Sequence, residues 1–394
     1  MNNSLYLPRN IKAGVGCLEE LGDVVKDLKG THAFIVIDAF LAKEPLNYHL
    51  KIKDRLDECD LKVTFFSEFQ GEPSTHHLKV ALSQIDSCQA DCVVGIGGGS
   101  AIDLAKAVSV FAFNKDVQLD DIENIKNLER LPLIAIPTTA GTGSEATKVM
   151  VITDVDRNIK RNPGNPKLIP DVAILDANLS VSLPKHFTAY TGLDALAHAL
   201  EAYVSTRATE MSDKFALEAI RMIGEALPTV YANGDNLQSR QTMLIASCYA
   251  GIAFSNASTN LAHATARPLG AIFHIPHGLS VALLLPYVIE FGLEVAEERY
   301  ATIAKALGSK LTESRELAKD SLAIVRNFNS VFQIWQDGKK YINNETEFTA
   351  AIPLLVKDAL SGNGVVTNRL IPTEDDVRRI FEELSSNLFQ YSEA

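Results

Sequence analysis

Residues 91–108 read DCVVGIGGGSAIDLAKAV: a short apolar run, three consecutive glycines, then a stretch with helical spacing. That order describes a buried strand, a tight turn and a helix, which is the βα unit of a parallel sheet. Ser100 and Asp103 have the S-x-x-D spacing of a capping box at the start of the helix. Backbone N–H groups at such a helix end suit a pyrophosphate, and Gly97, Gly98 and Gly99 let a ligand approach without Cβ clashes. A tight turn with no ligand uses glycines in the same way, so this stretch alone decides fold rather than function.

Working outward, strand-like runs of the same kind lie at 33–38, 62–69 and 131–137, alternating with helical patterns. Such alternation means crossover helices on a sheet buried on both faces. From about Leu183 the pattern changes to helices alone, over 187–204, 211–231, 238–256, 278–291, 294–307, 312–328, 346–360 and 373–387. The polar turn residues and Pro184 of NLSVSLPKHF (178–187) mark the join. The chain therefore reads as an α/β dinucleotide-binding domain, 1–184, followed by an all-helical domain, 185–394.

The 394 residues are 46% hydrophobic and 22% charged, without an apolar run of transmembrane length, so no membrane role is expected. A net charge of −12 and the lack of any basic run argue against nucleic acid as a partner. The first residues lack the features of a secretory signal, which makes the cytoplasm the expected location. Cys17, Cys59, Cys88, Cys92 and Cys248 are odd in number and scattered, and read as reduced structural thiols.

A second loop, PTTAGTGSEAT (137–147), also follows a strand and adds the hydroxyls of Thr138, Thr139, Thr142 and Ser144 to two further glycines. Two such loops at the carboxyl ends of parallel strands are where open α/β sheets hold dinucleotides. Asp38, at the end of the 33–38 strand, is placed to accept hydrogen bonds from a ribose diol, and its charge repels a 2′-phosphate, which favours NAD over NADP. The common fingerprint runs glycine loop first and acid about 20 residues later, whereas here the acid precedes the loop. The fold is thus a different dinucleotide binder.

In TGLDALAHALEAYVS (191–205), Asp194 and His198 are four apart on one helix face. Farther on, NLAHATARPLGAIFHIPHG (260–278) holds His263, His274 and His277, three of the chain's nine histidines, among alanines and leucines. Two helices supply His263 and His277, separated by proline-marked irregular chain, so these converge only through tertiary folding. One carboxylate and three imidazoles are a plausible set for Fe(II), Zn(II), Co(II) or Ni(II).

GGGSAIDLAKA, PTTAGTGSEAT, LIPDVAILDANL, TGLDALAHALEAYVS, GIAFSNAS and HATARPLGAIFHIPHG together resemble the iron-containing (group III) alcohol dehydrogenases, in that family's order and over nearly the whole chain. The resemblance implies an N-terminal dinucleotide-binding domain of the dehydroquinate synthase-like fold, an all-α C-terminal domain, and a metal in the cleft between them. It further implies NAD-linked interconversion of small alcohols with aldehydes or ketones, and a homodimer or higher homo-oligomer. By the same resemblance Asp194, His198, His263 and His277 are the metal ligands, for Fe(II) or else Zn(II). Asp38, Gly97, Gly98, Gly99, Ser100, Thr138 and Thr139 are implied cofactor contacts, with Asp103, Ser144, Lys160 and Leu179 at further family positions and Phe254 flanking the substrate. A bound cation lowers the pKa of the alcohol oxygen, which hydride transfer requires.

Two features depart from the family pattern. Relatives usually carry a histidine four residues after the third ligand, where this chain has Arg267, a side chain that cannot act as a base near neutral pH. Three readings of Arg267 stay open: binding an anionic group of the substrate such as a carboxylate, phosphonate or sulfonate, contacting the cofactor, or pairing with a nearby acid. His274 is a candidate for proton transfer in its stead, set against a plain solvent-facing histidine. In KRNPGNPKLIP (160–170), where relatives have a strand, Pro163, Gly164 and Pro166 predict a loop, flanked by Arg161 and Lys167. The rival functions are a dehydroquinate synthase-like lyase with tightly held NAD, and an inactive metal-binding relative.

Overall fold

The computed structural model describes residues 4–69, 71–157 and 159–390, and the chain divides into two compact units, Tyr6–Leu183 and a second that begins at Pro184. The first unit runs β1 (Asn10–Ala13), α1 (Leu21–Asp27), β2 (His32–Ile37), α2 (Tyr48–Asp57), β3 (Lys62–Phe66), α3 (Thr75–Cys88), β4 (Cys92–Gly97) and α4 (Gly99–Phe111). It continues with β5 (Leu133–Pro137), β6 (Ile152–Asp154), β7 (Ile159–Arg161) and β8 (Val172–Leu175). Six strands form one sheet in the order β1-β8-β5-β4-β2-β3 with every neighbour parallel, while β6 and β7 make a separate antiparallel hairpin.

Successive side chains of the sheet point to opposite faces, and both faces are covered. Phe34, Val36, Val93 and Leu133 share a core with Leu78 and Ile85 of α3 and Leu104 and Val108 of α4. Ala33, Ile35, Ile37, Val94 and Ile134 share the other with Leu21 and Val25 of α1 and Ile52 and Leu56 of α2. The order reverses at the centre: from β2 the chain moves out to β3, and from β4 it moves the other way to β5. The carboxyl ends of β2 and β4 therefore flank the switch point at which open α/β sheets hold ligands.

Two local expectations need correction. The capping box does not form, because Gly98 is the N-cap of α4 with no side-chain bond, which puts Ser100 inside the helix, while the Asp103 carboxylate turns inward to Ser144 and the Val151 N–H. The 160–170 segment is not all loop either: Lys160 and Arg161 belong to β7, paired with Thr153 and Ile152. Chain geometry turns irregular only at the prolines, before a short 3-10 turn over Pro166–Leu168.

The second unit is helical: α5 (Lys185–Val204), α6 (Glu210–Ala232), α7 (Leu237–Ala257), α8 (Leu261–Phe273), α9 (His277–Gly292), α10 (Glu297–Ala306), α11 (Ser314–Val331), α12 (Ile334–Tyr341), α13 (Glu345–Leu360) and α14 (Glu374–Gln390). Helix α5 is buried along nearly its whole length and packs on α6, α7 and α9. The expected irregular chain between His263 and His277 shrinks to residues 274–276, since α8 runs through Pro268, a buried residue whose surroundings offset the one hydrogen bond it cannot make. Among the described residues no helix is long and apolar enough to cross a membrane.

Candidate metal and cofactor sites

Within the helical unit, Asp194, His198 and Glu201 occupy positions i, i+4 and i+7 of α5, so one face of its alanine- and leucine-rich middle carries three titratable groups. His263 is the third residue of α8 and His277 the first of α9. Nε2 of His263 lies 3.5 Å and Nε2 of His277 3.6 Å from Oδ1 of Asp194, while Nδ1 of His198 is 4.0 Å from Oδ2. The His198 ring stacks on His263 and on Phe254 of α7, each with 4.3 Å between centroids.

Oδ1 of Asp194 and Nε2 of His263 are buried without a hydrogen-bond partner. Orphaned polar atoms of this kind are costly unless something completes them. A tetrahedral ion bound at about 2.0–2.1 Å sets its ligand atoms about 3.3–3.4 Å apart, close to the separations around Asp194. Asp194, His263 and His277 therefore converge as a donor set that fits a borderline transition metal, with His198 beside them and not within that converging group. Without one, burial alone would raise the Asp194 carboxyl, but the imidazoles of His198, His277 and His263 overrule it and hold it well below the usual carboxylate range. Burial works to lower His263, yet Glu201 and Asp194 push it up to about 9.

Glu201, which the sequence reading passed over, organises this cluster. Its two oxygens meet the Ala262 N–H and Nδ1 of His263, each at 2.6 Å, and the group is 1% exposed. An acceptor at Nδ1 fixes the imidazole with its proton there and leaves Nε2, 3.5 Å from Asp194 Oδ1, available as a donor atom for a metal. The signal was available in DALAHALE, where a third acid recurs at helical spacing on the face of Asp194 and His198.

Arg267 sits one turn after His263 on α8, exposed, with no hydrogen bond or ion pair to any described residue. The nearby acid that acts on it is Glu201, through charge and without direct contact: desolvation by the surrounding protein works to lower the Arg267 pKa and Glu201 partly offsets this. His274 is the exposed C-cap of α8, in the left-handed region at φ 54°.

The other cluster lies in the α/β unit. Ile37 pairs with Ile96 across β2 and β4, so Asp38 comes beside Gly97, whose absent Cβ would lie 3.7 Å from that of Asp38. The odd order of acid and glycine loop is thereby resolved: neighbours in the sheet need not be neighbours in the chain. Gly97 also pairs with Pro137, and its carbonyl accepts from the Thr138 N–H at 2.9 Å, which brings the second loop alongside the first. The N–H groups of the first turn of α4 have no side-chain cap, which fits the phosphate end of a nucleotide.

The glycines serve the protein as well as any ligand. Gly97 has φ 150° and a Cβ there would strike Ala101, while a Cβ on Gly99 would meet Thr142 at 2.9 Å. Only at Gly98 is the space beside the turn open enough for a side chain, in ordinary contact with Thr139. Asp38 accepts from the Phe40 N–H at 2.8 Å. Ser144 is buried and bonded to Asp103 and Lys106, Leu179 is buried in the core that holds Leu41 and Tyr48, and Lys160 pairs with Glu72 on the surface. Arg161 faces Asp120 at 3.3 Å and Lys167 is exposed.

Comparison with known proteins decides the family. The model of the iron-containing alcohol dehydrogenases matches residues 8–177, and that of the C-terminal part of the Fe-containing alcohol dehydrogenase family matches 188–385. The chain belongs to the iron-containing alcohol dehydrogenase family. It is 37% identical to the 1-propanol dehydrogenase PduQ of Salmonella typhimurium, over 97% of this chain and 100% of that one. The crystal structure of a 1,3-propanediol oxidoreductase superposes with a TM-score of 0.92 at 30% identity, covering 98% of this chain and 100% of the other. A sulfoacetaldehyde reductase from Bifidobacterium kashiwanohense, in complex with NAD+, gives a TM-score of 0.86 at 27% identity over 98% and 99% of the two chains. As an iron-containing alcohol dehydrogenase the protein is an oxidoreductase acting on CH–OH groups, and the lyase and inactive-relative readings are set aside.

Proposed function

We propose that the protein is an NAD-linked aldehyde reductase and alcohol dehydrogenase for small substrates, with a divalent metal, Fe(II) or alternatively Zn(II), held by Asp194, His198, His263 and His277. The observation that carries this reading is the pair of buried, partnerless atoms on Asp194 and His263, 3.5 Å apart, on a chain of this family. When bound, such a metal polarises the substrate oxygen, and NAD supplies or accepts the hydride. Glu201 holds His263 in the tautomer that presents Nε2. Asp38 receives the ribose hydroxyls, and Gly97, Gly98, Gly99 and Ser100 with Thr138 and Thr139 receive the phosphates and the rest of the dinucleotide. The free thiols suit a reducing compartment, in keeping with a cytoplasmic location, and the homodimer is carried by the family resemblance alone.

Arg267 supports a preference for aldehydes that carry an anionic group. It is a cation with no direct ion-pair partner among the described residues, one turn from a candidate ligand histidine and under the partial influence of Glu201, and one similar structure is a sulfoacetaldehyde reductase. Arginine keeps its proton at working pH, so it selects substrate and relays nothing. The test is NADH oxidation by protein stripped of metal and reloaded with Fe(II) or Zn(II), against neutral and anionic C2 to C4 aldehydes. Arg267→Ala raises KM for anionic aldehydes about tenfold or more and leaves neutral ones nearly unchanged. Equal loss on both classes sinks the anion reading, and absence of metal-dependent turnover on every aldehyde sinks the whole proposal.

A further inference from the structure

Helix α4 carries a lysine that the reaction itself does not use. Lys106 is fully buried, and its ammonium donates to Ser144 Oγ at 2.9 Å, Thr147 Oγ1 at 2.9 Å and the Val149 carbonyl at 2.6 Å, with Asp103 Oδ1 at 3.5 Å. Every N–H of the ammonium is spent on the loop that follows β5 or on its exit. Asp103, one turn earlier on the same helix, accepts from Ser144 Oγ at 2.5 Å and from the Val151 N–H at 2.9 Å. A buried ammonium is tolerated only when fully paired, so this cluster has a single favourable arrangement, unlike an apolar contact that slides at little cost.

The cluster ties together the two segments that carry the phosphate turn and the hydroxyl loop. At its far end Thr142 fits into the space that the missing Cβ of Gly99 leaves. We propose that Lys106 is a positioning residue that sets the 137–147 loop against the glycine turn in the form that receives the dinucleotide; the inference rests on the cofactor reading given above. Lys106 does not touch the cofactor. It acts through Ser144 and Thr147, and through the placement of Thr138 and Thr139 that their loop carries.

The experiment measures NADH affinity by nicotinamide fluorescence, together with steady-state kinetics, on the metal-loaded protein and on Lys106→Met. The NADH Kd rises about tenfold or more, while aldehyde KM, metal content and kcat at saturating NADH stay within about threefold. A loss that came only from weaker folding would not separate the two substrates in this way. Should Lys106→Met fail to fold, Thr147→Val keeps the side-chain shape and removes one acceptor, and its NADH Kd rises about threefold. An unchanged NADH Kd in the variant that folds overturns the proposal, as does a parallel rise in the aldehyde and NADH constants. Wild type that binds no NADH overturns the cofactor reading and this inference with it, and shows the difference before any substitution is made.

Discussion

Glu145 is 1% exposed and no other residue donates a hydrogen bond to either of its carboxylate oxygens. Burial pushes its pKa up to about 7, against a partial offset from its own backbone N–H and from Lys106. Folding therefore takes up a proton at this residue between the ordinary value of 4.5 and about 7. Its contribution to stability is complete below the lower value and is lost as pH rises through the upper one. Ionising the buried group costs about 3 kcal/mol at pH 8, at roughly 1.4 kcal/mol per unit. Glu145→Gln removes that cost: thermal melts at about pH 8 show the variant a few degrees more stable, and melts near pH 5 show no gain. Equal melting at both pH values would mean that Glu145 is ionised in the folded chain. Nothing in the string GTGSEAT marks this acid as buried, because a glycine- and hydroxyl-rich loop reads as exposed chain. The candidate ligand residues were easier to single out, since Asp194 and His198 interrupt a largely apolar stretch of helix at helical spacing.

Helix α9 begins with the candidate ligand His277 and crosses α5 at its second residue. A Cβ on Gly278 would stand 2.4 Å from the carbonyl oxygen of Tyr190 and 2.8 Å from its carbon, backbone that cannot swing aside. Gly278→Ala thus pushes the start of α9 off α5, at a cost of about 1–3 kcal/mol. His277 moves with it, so metal affinity falls alongside the thermal midpoint; metal titration of the variant checks this, and wild-type affinity would refute the coupling. The outer helices were legible because they bury one stripe, as Val377, Phe381, Leu384 and Leu388 of α14 do. Central strands were legible as apolar runs between turns. Strands β1 and β8 were missed as elements because four residues each give too little pattern, and the three-residue strands of the hairpin give less. Helix α12, eight residues long, failed for the same reason.

The candidate ligands of the metal lie in one unit and the candidate contacts of the cofactor in the other, so the two ligands stabilise different parts of the molecule. Hydrogen exchange reads this directly. Fe(II) or Zn(II) slows exchange in α5, α8 and the start of α9, whereas NADH slows it at 97–103 and 137–147. Metal protection that appeared only at the glycine loops would contradict the assignment of ligands. The sequence by itself determined the succession of strands and helices, the change of class near residue 184, the family motifs and the residue types of the candidate site, because periodicity and turn chemistry are local properties of the chain. Only the tertiary structure decided which residues meet. Asp38 reaches Gly97 because β2 and β4 are sheet neighbours, Glu201 reaches His263 because α5 packs beside α8, and Lys106 reaches Ser144 because α4 backs the loop after β5. Each contact depends on how buried surfaces fit across long sequence separations, and that fit follows from the packing of the whole chain.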